Sequence, residues 1–228
     1  MDAHEHGQHH QDHGHHHHHR EHGHQHDRGA RGFLRYLRLL PRMWTSEVNR
    51  EVVRSLAPTR GERVVDLGAG MGAATVEAAR SGATVVAVDP MPYMRRLLRL
   101  RRRWQRHRAA IRVVDGAAES LPLENGSVDA LWTVNTIHHW TERDGASREL
   151  ARVMKAGGRV LLVDEDFDDP SHPEHRRVRA RRARHGHHFE EVDPELLAAA
   201  LRRAGFAEAH GSRTTFAGRP AKVIRATR

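Results

Sequence analysis

The residues of this chain best suited by type and spacing to bind a small charged ligand are two aspartates and a pair of glycines. An apolar run ends in Asp66, and Gly68 and Gly70 follow before an apolar, alanine-rich stretch. This order predicts a buried strand, a tight loop and the first turn of a helix. Glycines let a backbone approach a ligand closely, and helix N-termini attract negative charge. A second apolar run, residues 84–88, ends in Asp89.

The glycine loop and the stretches after it come in an order that is typical of one enzyme family. They are the runs 64–72 and 84–89, the loop 115–118, the segments 127–132 and 137–140, and the run 149–160. With these pieces, residues 63–163 resemble the class I S-adenosylmethionine-dependent methyltransferases, in the small-molecule branch that includes quinone-biosynthesis enzymes. The resemblance covers somewhat under half of the chain.

The resemblance implies a cofactor site for S-adenosylmethionine, formed by residues that follow the first four strands. Its predicted members are Asp66, Gly68, Gly70, Asp89, Pro90, Met91, Asp115, Gly116, Ala117 and Asn135. Asp66 and the glycines would hold the methionine end, and Asp89 would accept the ribose hydroxyls. Met91, with Pro90, would pack on the adenine, and Asp115 would receive its amino group.

The glycine loop also fits a second cofactor. The spacing Gly68-x-Gly70-x-x-Ala73 matches the dinucleotide fingerprint, and Asp89 lies 89 − 68 = 21 residues beyond Gly68, near the expected spacing. Asp66 favours S-adenosylmethionine, because that cofactor carries an ammonium and a sulfonium but no pyrophosphate. The loop that begins at Asp115 also offers an adenine contact that the dinucleotide pattern does not require.

Two histidines are the candidates for proton transfer. His138 and His139 follow the predicted fourth strand, at the sheet edge where open α/β folds bind their ligands. A histidine there could take a proton from a hydroxyl or an amine as the methyl group arrives. The alternative is that one histidine satisfies backbone groups and the other packs against the next helix.

Composition limits the functions that the chain can have. Its 228 residues have a formal net charge of +9 and include no cysteine, which excludes disulfides, thiolate metal sites and cysteine nucleophiles. No apolar stretch is long enough for a membrane span or a signal peptide, so we expect a cytoplasmic protein. The sequence leaves the oligomeric state open.

The segment 1–32 differs from the rest of the chain in being rich in histidine and nearly free of apolar residues. We expect it to be disordered, because it cannot bury enough apolar surface to offset the entropy of ordering. The run His15, His16, His17, His18 and His19 predicts binding of a divalent metal ion that takes no part in catalysis. An alternative function is therefore metal handling, with the methyltransferase-like core as a scaffold.

A basic helix is predicted over residues 91–107, with Met94, Leu97, Leu98 and Trp104 on one face and arginines over much of the rest. The charge run indicates a solvated face, and phosphate contact with nucleic acid is the alternative. The segment after the fourth strand, residues 134–137, lacks the Asn/Asp-Pro-Pro-aromatic motif that is typical of methyltransferases acting on base amino groups. A nucleic-acid substrate is the weaker hypothesis.

The sequence thus predicts an α/β domain over residues 33–228. It is Rossmann-like, with a mostly parallel seven-stranded sheet, helices on both faces and a closing antiparallel hairpin. N-terminal helices in residues 33–60 would cap the cleft, and residues 165–192 would form a substrate-side insertion. The predicted activity is transfer of a methyl group from S-adenosylmethionine to a small-molecule acceptor by in-line displacement.

Overall fold

The computed structural model describes residues 46–185 and 191–228, and a seven-stranded sheet runs through their centre. The strands are β1 (Arg63–Leu67), β2 (Thr84–Val88), β3 (Ile111–Val114), β4 (Val128–Val134), β5 (Met154–Glu165), β6 (Glu208–Phe216) and β7 (Arg219–Thr227). The helices are α1 (Glu47–Leu56), α2 (Ala73–Ala79), α3 (Pro92–Arg103), α4 (Arg143–Val153), α5 (His175–His185) and α6 (Pro194–Arg203).

The strand order is β3-β2-β1-β4-β5-β7-β6. Strands β1 to β5 pair in parallel, while β7 runs antiparallel to both β5 and β6. The order reverses between β1 and β4, so the carboxyl ends of these strands form the switch point where such sheets bind ligands. The predicted fold class, including the closing hairpin, is confirmed.

Both faces of the sheet are covered by helices, because successive side chains of a strand point to opposite sides. On one face, Val64 and Val85 pack in a cluster with α1 and α2, and Leu98 of α3 packs on Ala87. On the other face, Val65 and Leu162 pack in a cluster with α4 and α6. The strands at the centre are therefore buried on both sides, as their continuous apolar runs predict.

Helix α1 lies within the segment 33–60 that is predicted to hold N-terminal helices. The Ser46 side chain caps it by accepting a hydrogen bond from the backbone N–H of Asn49. Its apolar side faces the core, with Val48 and Val52 almost fully buried. The role of residues 33–60 as a cap over the cleft stays a prediction, and so does the role of residues 165–192 as an insertion.

The carboxyl group of Asp66 lies inside the protein, between the sheet and α2. Asp66 is 3% exposed, and the Thr75 hydroxyl of α2 donates a hydrogen bond to the Oδ2 atom of Asp66. Burial raises the pKa of Asp66 from 3.8 to about 6, in opposition to the hydrogen bond from Thr75. The folded protein therefore holds a proton on this group more tightly than the unfolded chain does.

This linkage predicts that Asp66 makes the protein less stable as pH rises through the interval from 3.8 to about 6. The free energy of unfolding of wild type, minus that of Asp66→Asn, should fall by about 2 kcal/mol between pH 4.5 and 7. Urea unfolding of both proteins at several pH values measures this difference. A difference that stays constant or grows over the interval would contradict the assignment.

Candidate functional site

A cavity of about 670 Å³ opens at the carboxyl edge of the sheet, beside the switch point. Its wall is formed by the residues that follow β1, β2, β4 and β5, together with the start of α1 and the hairpin residue Arg219. The volume is in the range of small-molecule sites. The arrangement brings the predicted glycine loop and the predicted histidine loop to one cavity.

The glycine loop after β1 is tied to the end of β2 by its own backbone. The N–H groups of Gly68 and Ala69 donate to the Val88 carbonyl at 2.8 and 3.0 Å, and the Gly70 N–H donates to Asp89 Oδ2 at 2.8 Å. Gly68 has a φ of +72°, and a Cβ there would collide with Thr136. Gly70 has a φ of +52° with open space where a Cβ would be, so the loop backbone forms the cavity wall directly.

Asp89 lies at the end of β2 and is 5% exposed. Its Oδ1 accepts the Met91 N–H at 2.8 Å, while its Oδ2 accepts the Gly70 N–H. Burial raises the pKa of Asp89, and the two backbone N–H groups oppose that rise. The carboxylate thus joins the β1 loop to the start of α3, and it lines the cavity together with Pro90 and Met91.

Asp115, at the end of β3, is held by a bidentate ion pair. Both terminal nitrogens of Arg95 donate to its carboxylate, at 2.8 and 3.0 Å. The Arg95 side chain is 10% exposed and that of Asp115 is 71% exposed. The same guanidinium donates to the Asp89 carbonyl at 2.7 Å. Arg95 therefore connects the ends of β2 and β3, a contact that the sequence reasoning missed because Arg95 stood among many arginines.

The predicted cofactor residues divide into two groups by position. Seven of the ten line the cavity: Gly68, Gly70, Asp89, Pro90, Met91, Ala117 and Asn135. Asp66, Asp115 and Gly116 are not among the lining residues. A Cβ on Gly116 would lie 2.8 Å from Pro122 Cδ and 2.9 Å from Val88 Cγ1, which gives this glycine a packing role behind the wall.

The two histidines have different surroundings. His139 lines the cavity. His138 does not, and its Nδ1 lies 2.7 Å from Oδ2 of Asp164, a carboxylate that is 4% exposed. That carboxylate also accepts the backbone N–H groups of Ile137 and His138. The two rings lie next to each other, with centroids 4.1 Å apart.

A polar network at the end of β5 forms the opposite side of the cavity and was not predicted residue by residue. Asn135, at a φ of 56°, donates from Nδ2 to Glu165 Oε1 at 2.8 Å and accepts the Glu165 N–H at 2.7 Å. Glu165 Oε2 accepts from Arg219 at 2.9 Å and lies 3.1 Å from His172 Nε2. Residues 164–169 include five carboxylates, and this cluster is a sequence signal for the network. The sequence around Arg219 contains no comparable signal.

Within the described ranges, 46–185 and 191–228, no group of three or more histidine, aspartate or glutamate side chains could hold a metal ion. The predicted metal residues lie outside these ranges: His15, His16, His17, His18 and His19. Metal binding by these histidines stays a prediction.

Comparison with known proteins gives a sequence match in the region of this site. Residues 65–162 match the family model described as a methyltransferase domain. An uncharacterized methyltransferase of Mycobacterium tuberculosis is 40% identical over 116 residues, which are 50% of this chain and 44% of that protein. A demethylmenaquinone methyltransferase of Clavibacter sepedonicus is 35% identical over 124 residues, which are 54% of this chain and 49% of that protein. The chain thus spans about half the length of these curated relatives.

Solved structures share the fold at low sequence identity. The YcgJ protein of Bacillus subtilis has a TM-score of 0.63 at 20% identity, over 79% of this chain and 97% of that one. A putative S-adenosylmethionine-dependent methyltransferase of Methanococcus maripaludis has a TM-score of 0.64 at 15% identity, over 85% of this chain and 91% of that one. The sequence matches and the shared fold confirm the resemblance: residues 65–162 are similar in sequence to methyltransferase domains, and the chain shares the fold of S-adenosylmethionine-dependent methyltransferase structures.

Proposed function

We propose that this protein transfers a methyl group from S-adenosylmethionine to a small-molecule acceptor bound at the carboxyl edge of the sheet. The observation that carries the proposal is the position of Asp89, whose carboxylate fixes the glycine loop at Gly70 and lines the cavity. The match of residues 65–162 to a methyltransferase domain supports the same activity.

The loop geometry fits S-adenosylmethionine better than a dinucleotide. A pyrophosphate is bound by loop N–H groups that point toward it. Here the N–H groups of Gly68, Ala69 and Gly70 all donate within the protein. The loop instead offers open space at Gly70 and a buried carboxylate at Asp89, which suit a ligand with ribose hydroxyls and a positive charge.

The roles proposed within the cofactor site are those that the resemblance implies. Asp89 would accept the ribose hydroxyls, and Met91 and Pro90 would pack on the adenine. Asp115 would be oriented toward the adenine by Arg95, which holds its carboxylate in a bidentate pair. Asp66 would act from behind the loop, because its carboxylate is buried against Thr75.

When bound, S-adenosylmethionine supplies a methyl group on a sulfonium, which a nucleophile can displace in line. The protein's contribution is to hold the two reactants close and aligned. The acceptor would bind at the end of the cavity that is lined by His139, Trp140, Glu165, Phe167 and Arg219. Aromatic and apolar walls with a few polar groups suit an organic acceptor. The demethylmenaquinone methyltransferase among the relatives makes a quinol-like acceptor the first to test.

No helix among the described residues is long and apolar enough to cross a membrane. We keep the cytoplasmic location as part of the proposal, with a small molecule rather than nucleic acid as the substrate. The metal-handling alternative finds no support in the comparisons, whereas the family model and the curated relatives named above are methyltransferases.

Release of S-adenosylhomocysteine tests the proposed activity. The full chain, stripped of metal ions, is incubated with S-adenosylmethionine and a panel of demethylated quinols, phenols and amines. We expect acceptor-dependent release with at least one class. Tight binding of a nicotinamide dinucleotide with no binding of S-adenosylmethionine would overturn the proposal.

Substitution of Gly70 tests the cofactor position. Gly70→Ala places a methyl group at the cavity wall and should weaken S-adenosylmethionine binding at least about tenfold. Gly126→Ala is a matched control, because Gly126 also has a left-handed φ, +57°, and open space around its Cβ position. Since both variants have similar backbone strain, equilibrium dialysis should show a large affinity loss only for Gly70→Ala. Equal affinities in the two variants would contradict the proposed site.

Substitution of His139 tests the acceptor end. His139→Ala should lower the methyl-transfer rate constant about a hundredfold if the imidazole takes a proton from the acceptor. Affinity for S-adenosylmethionine should remain within about twofold. His138→Ala is the comparison, since His138 lies outside the cavity and contacts Asp164. Single-turnover experiments measure the methyl-transfer rate of both variants. Methyl transfer by His139→Ala at the wild-type rate would contradict the proposed role.

A further inference from the structure

The outward face of α3 carries arginines beside two exposed apolar side chains, and the proposed methyl transfer uses none of them. Arg96, Arg99 and Arg103 are exposed. Leu100 is 52% exposed. The prediction that Trp104 lies on the apolar face is wrong: Trp104 caps the end of the helix and is 81% exposed. We define these five residues as the α3 face. Among the described residues, the only other large hydrophobic side chain with comparable exposure is Leu196.

Helical spacing places the α3 face on one side of the helix. Residues 96, 99, 100 and 103 follow the i, i+3, i+4, i+7 pattern, and Trp104 lies one turn beyond Leu100. The opposite side of the helix is buried, with Met94 and Leu98 packed into the protein. The arginines therefore form a stripe along one flank of the Leu100–Trp104 pair.

The arginines of the α3 face have no carboxylate partner in the part of the chain that the structure describes. No ion pair there includes Arg96, Arg99 or Arg103. The chain has no aspartate or glutamate between Asp89 and Asp115. The uncompensated positive charge would attract an anionic surface.

We propose that the α3 face docks the protein on an anionic lipid surface. Leu100 and Trp104 would enter the interface between headgroups and acyl chains, where an indole ring is well accommodated. The guanidinium groups of Arg96, Arg99 and Arg103 would bind lipid phosphates, and each basic residue near such a surface adds to the attraction. No described helix could cross a membrane, so the contact is peripheral.

A lipid surface fits this face better than a nucleic acid does. Proteins that bind single strands use a groove with several aromatic side chains, whereas the α3 face is one side of a single helix with one aromatic residue. Asn and Gln, which read adenine edges, are absent from residues 96–104, so the arginines alone would give mainly phosphate contacts without sequence information. Exposed Leu100 has no use on a phosphate backbone, but it gains free energy in an acyl layer.

The docking surface is separate from the cavity. Tyr93, in the first turn of α3, lines the cavity. Trp104 lies 11 residues further on, about 16 Å along the helix axis. Arg96 lies one turn from Tyr93, but none of the five residues of the α3 face lines the cavity. Vesicle binding therefore tests docking separately from the proposed methyl transfer, and failure of one leaves the other standing.

Vesicle co-sedimentation of the full chain tests the proposal, with phosphatidylcholine vesicles that contain 30% phosphatidylglycerol. The triple variant Arg96→Gln/Arg99→Gln/Arg103→Gln should bind at least tenfold more weakly than wild type. Leu100→Ser/Trp104→Ser keeps the charge and should lose about tenfold. Arg176→Gln/Arg179→Gln/Arg181→Gln removes three exposed charges from α5 and should bind within twofold of wild type. Pure phosphatidylcholine vesicles should bind poorly.

Tryptophan emission gives a second reading of the same contact. Trp132 and Trp140 are buried, at 0% and 6% exposure, and Trp44 lies outside the described residues, so the measurement is made in a Trp44→Phe background. Vesicle binding should then shift the emission to shorter wavelength, and adding Trp104→Phe should remove that shift while the protein still binds.

Three results would overturn the proposal. The first is equal loss of vesicle binding in the α3 and α5 triple variants, which would show that total charge is responsible. The second is a wavelength shift that persists in Trp104→Phe. The third is the absence of vesicle binding together with α3-dependent binding to a 20-nucleotide RNA, which would assign the face to nucleic acid.

Discussion

The proposed cofactor side of the cavity depends on one carboxylate. Asp89 accepts the Gly70 N–H with one oxygen and the Met91 N–H with the other, so it fixes the loop after β1 and the start of α3 relative to each other. Both loops leave the same edge of a parallel sheet, and the Gly68 and Ala69 N–H groups, which donate to the Val88 carbonyl, support the same spacing. Arg95 extends the bridge to β3 by donating to the Asp89 carbonyl and to Asp115. Three strand ends are thereby joined into one rigid wall.

The proposed acceptor side is organised by the same principle with different groups. Asn135 has a left-handed φ of 56°, which turns its side chain so that both amide atoms bond Glu165. Glu165 in turn is held by Arg219 of the hairpin, and the neighbouring Asp164 holds the turn that carries the two histidines. The positive φ of a non-glycine residue is a backbone conformation that costs free energy, and the paired amide bonds offset it. The two sides of the cavity are thus built by hydrogen bonds between consecutive strand ends.

Sequence reasoning could predict what is local and periodic. The strands that end at Leu67 and Val88, the glycine loop and Asp89 all follow from runs of apolar residues and from spacing, and the fold class followed from their order. It could not predict contacts that join distant parts of the chain. The ion pair of Arg95 and Asp115 spans 20 residues, and Arg219 reaches Glu165 across 54. The burial of Asp66 beneath α2 could not be predicted either. The sequence places Asp66 at the end of a strand, but it does not show which helix packs over that end.

The most direct test of the account is a calorimetric titration of S-adenosylmethionine, and separately of NADH, into the full-length, metal-free protein and its Asp89→Asn variant. The amide of Asn keeps one acceptor for the loop N–H groups but loses the charge that would bind the ribose hydroxyls. The account predicts micromolar binding of S-adenosylmethionine to wild type, about −8 kcal/mol, a loss of at least tenfold in the variant, and no binding of NADH. Binding of NADH alone, or equal S-adenosylmethionine affinity in the two proteins, would contradict it.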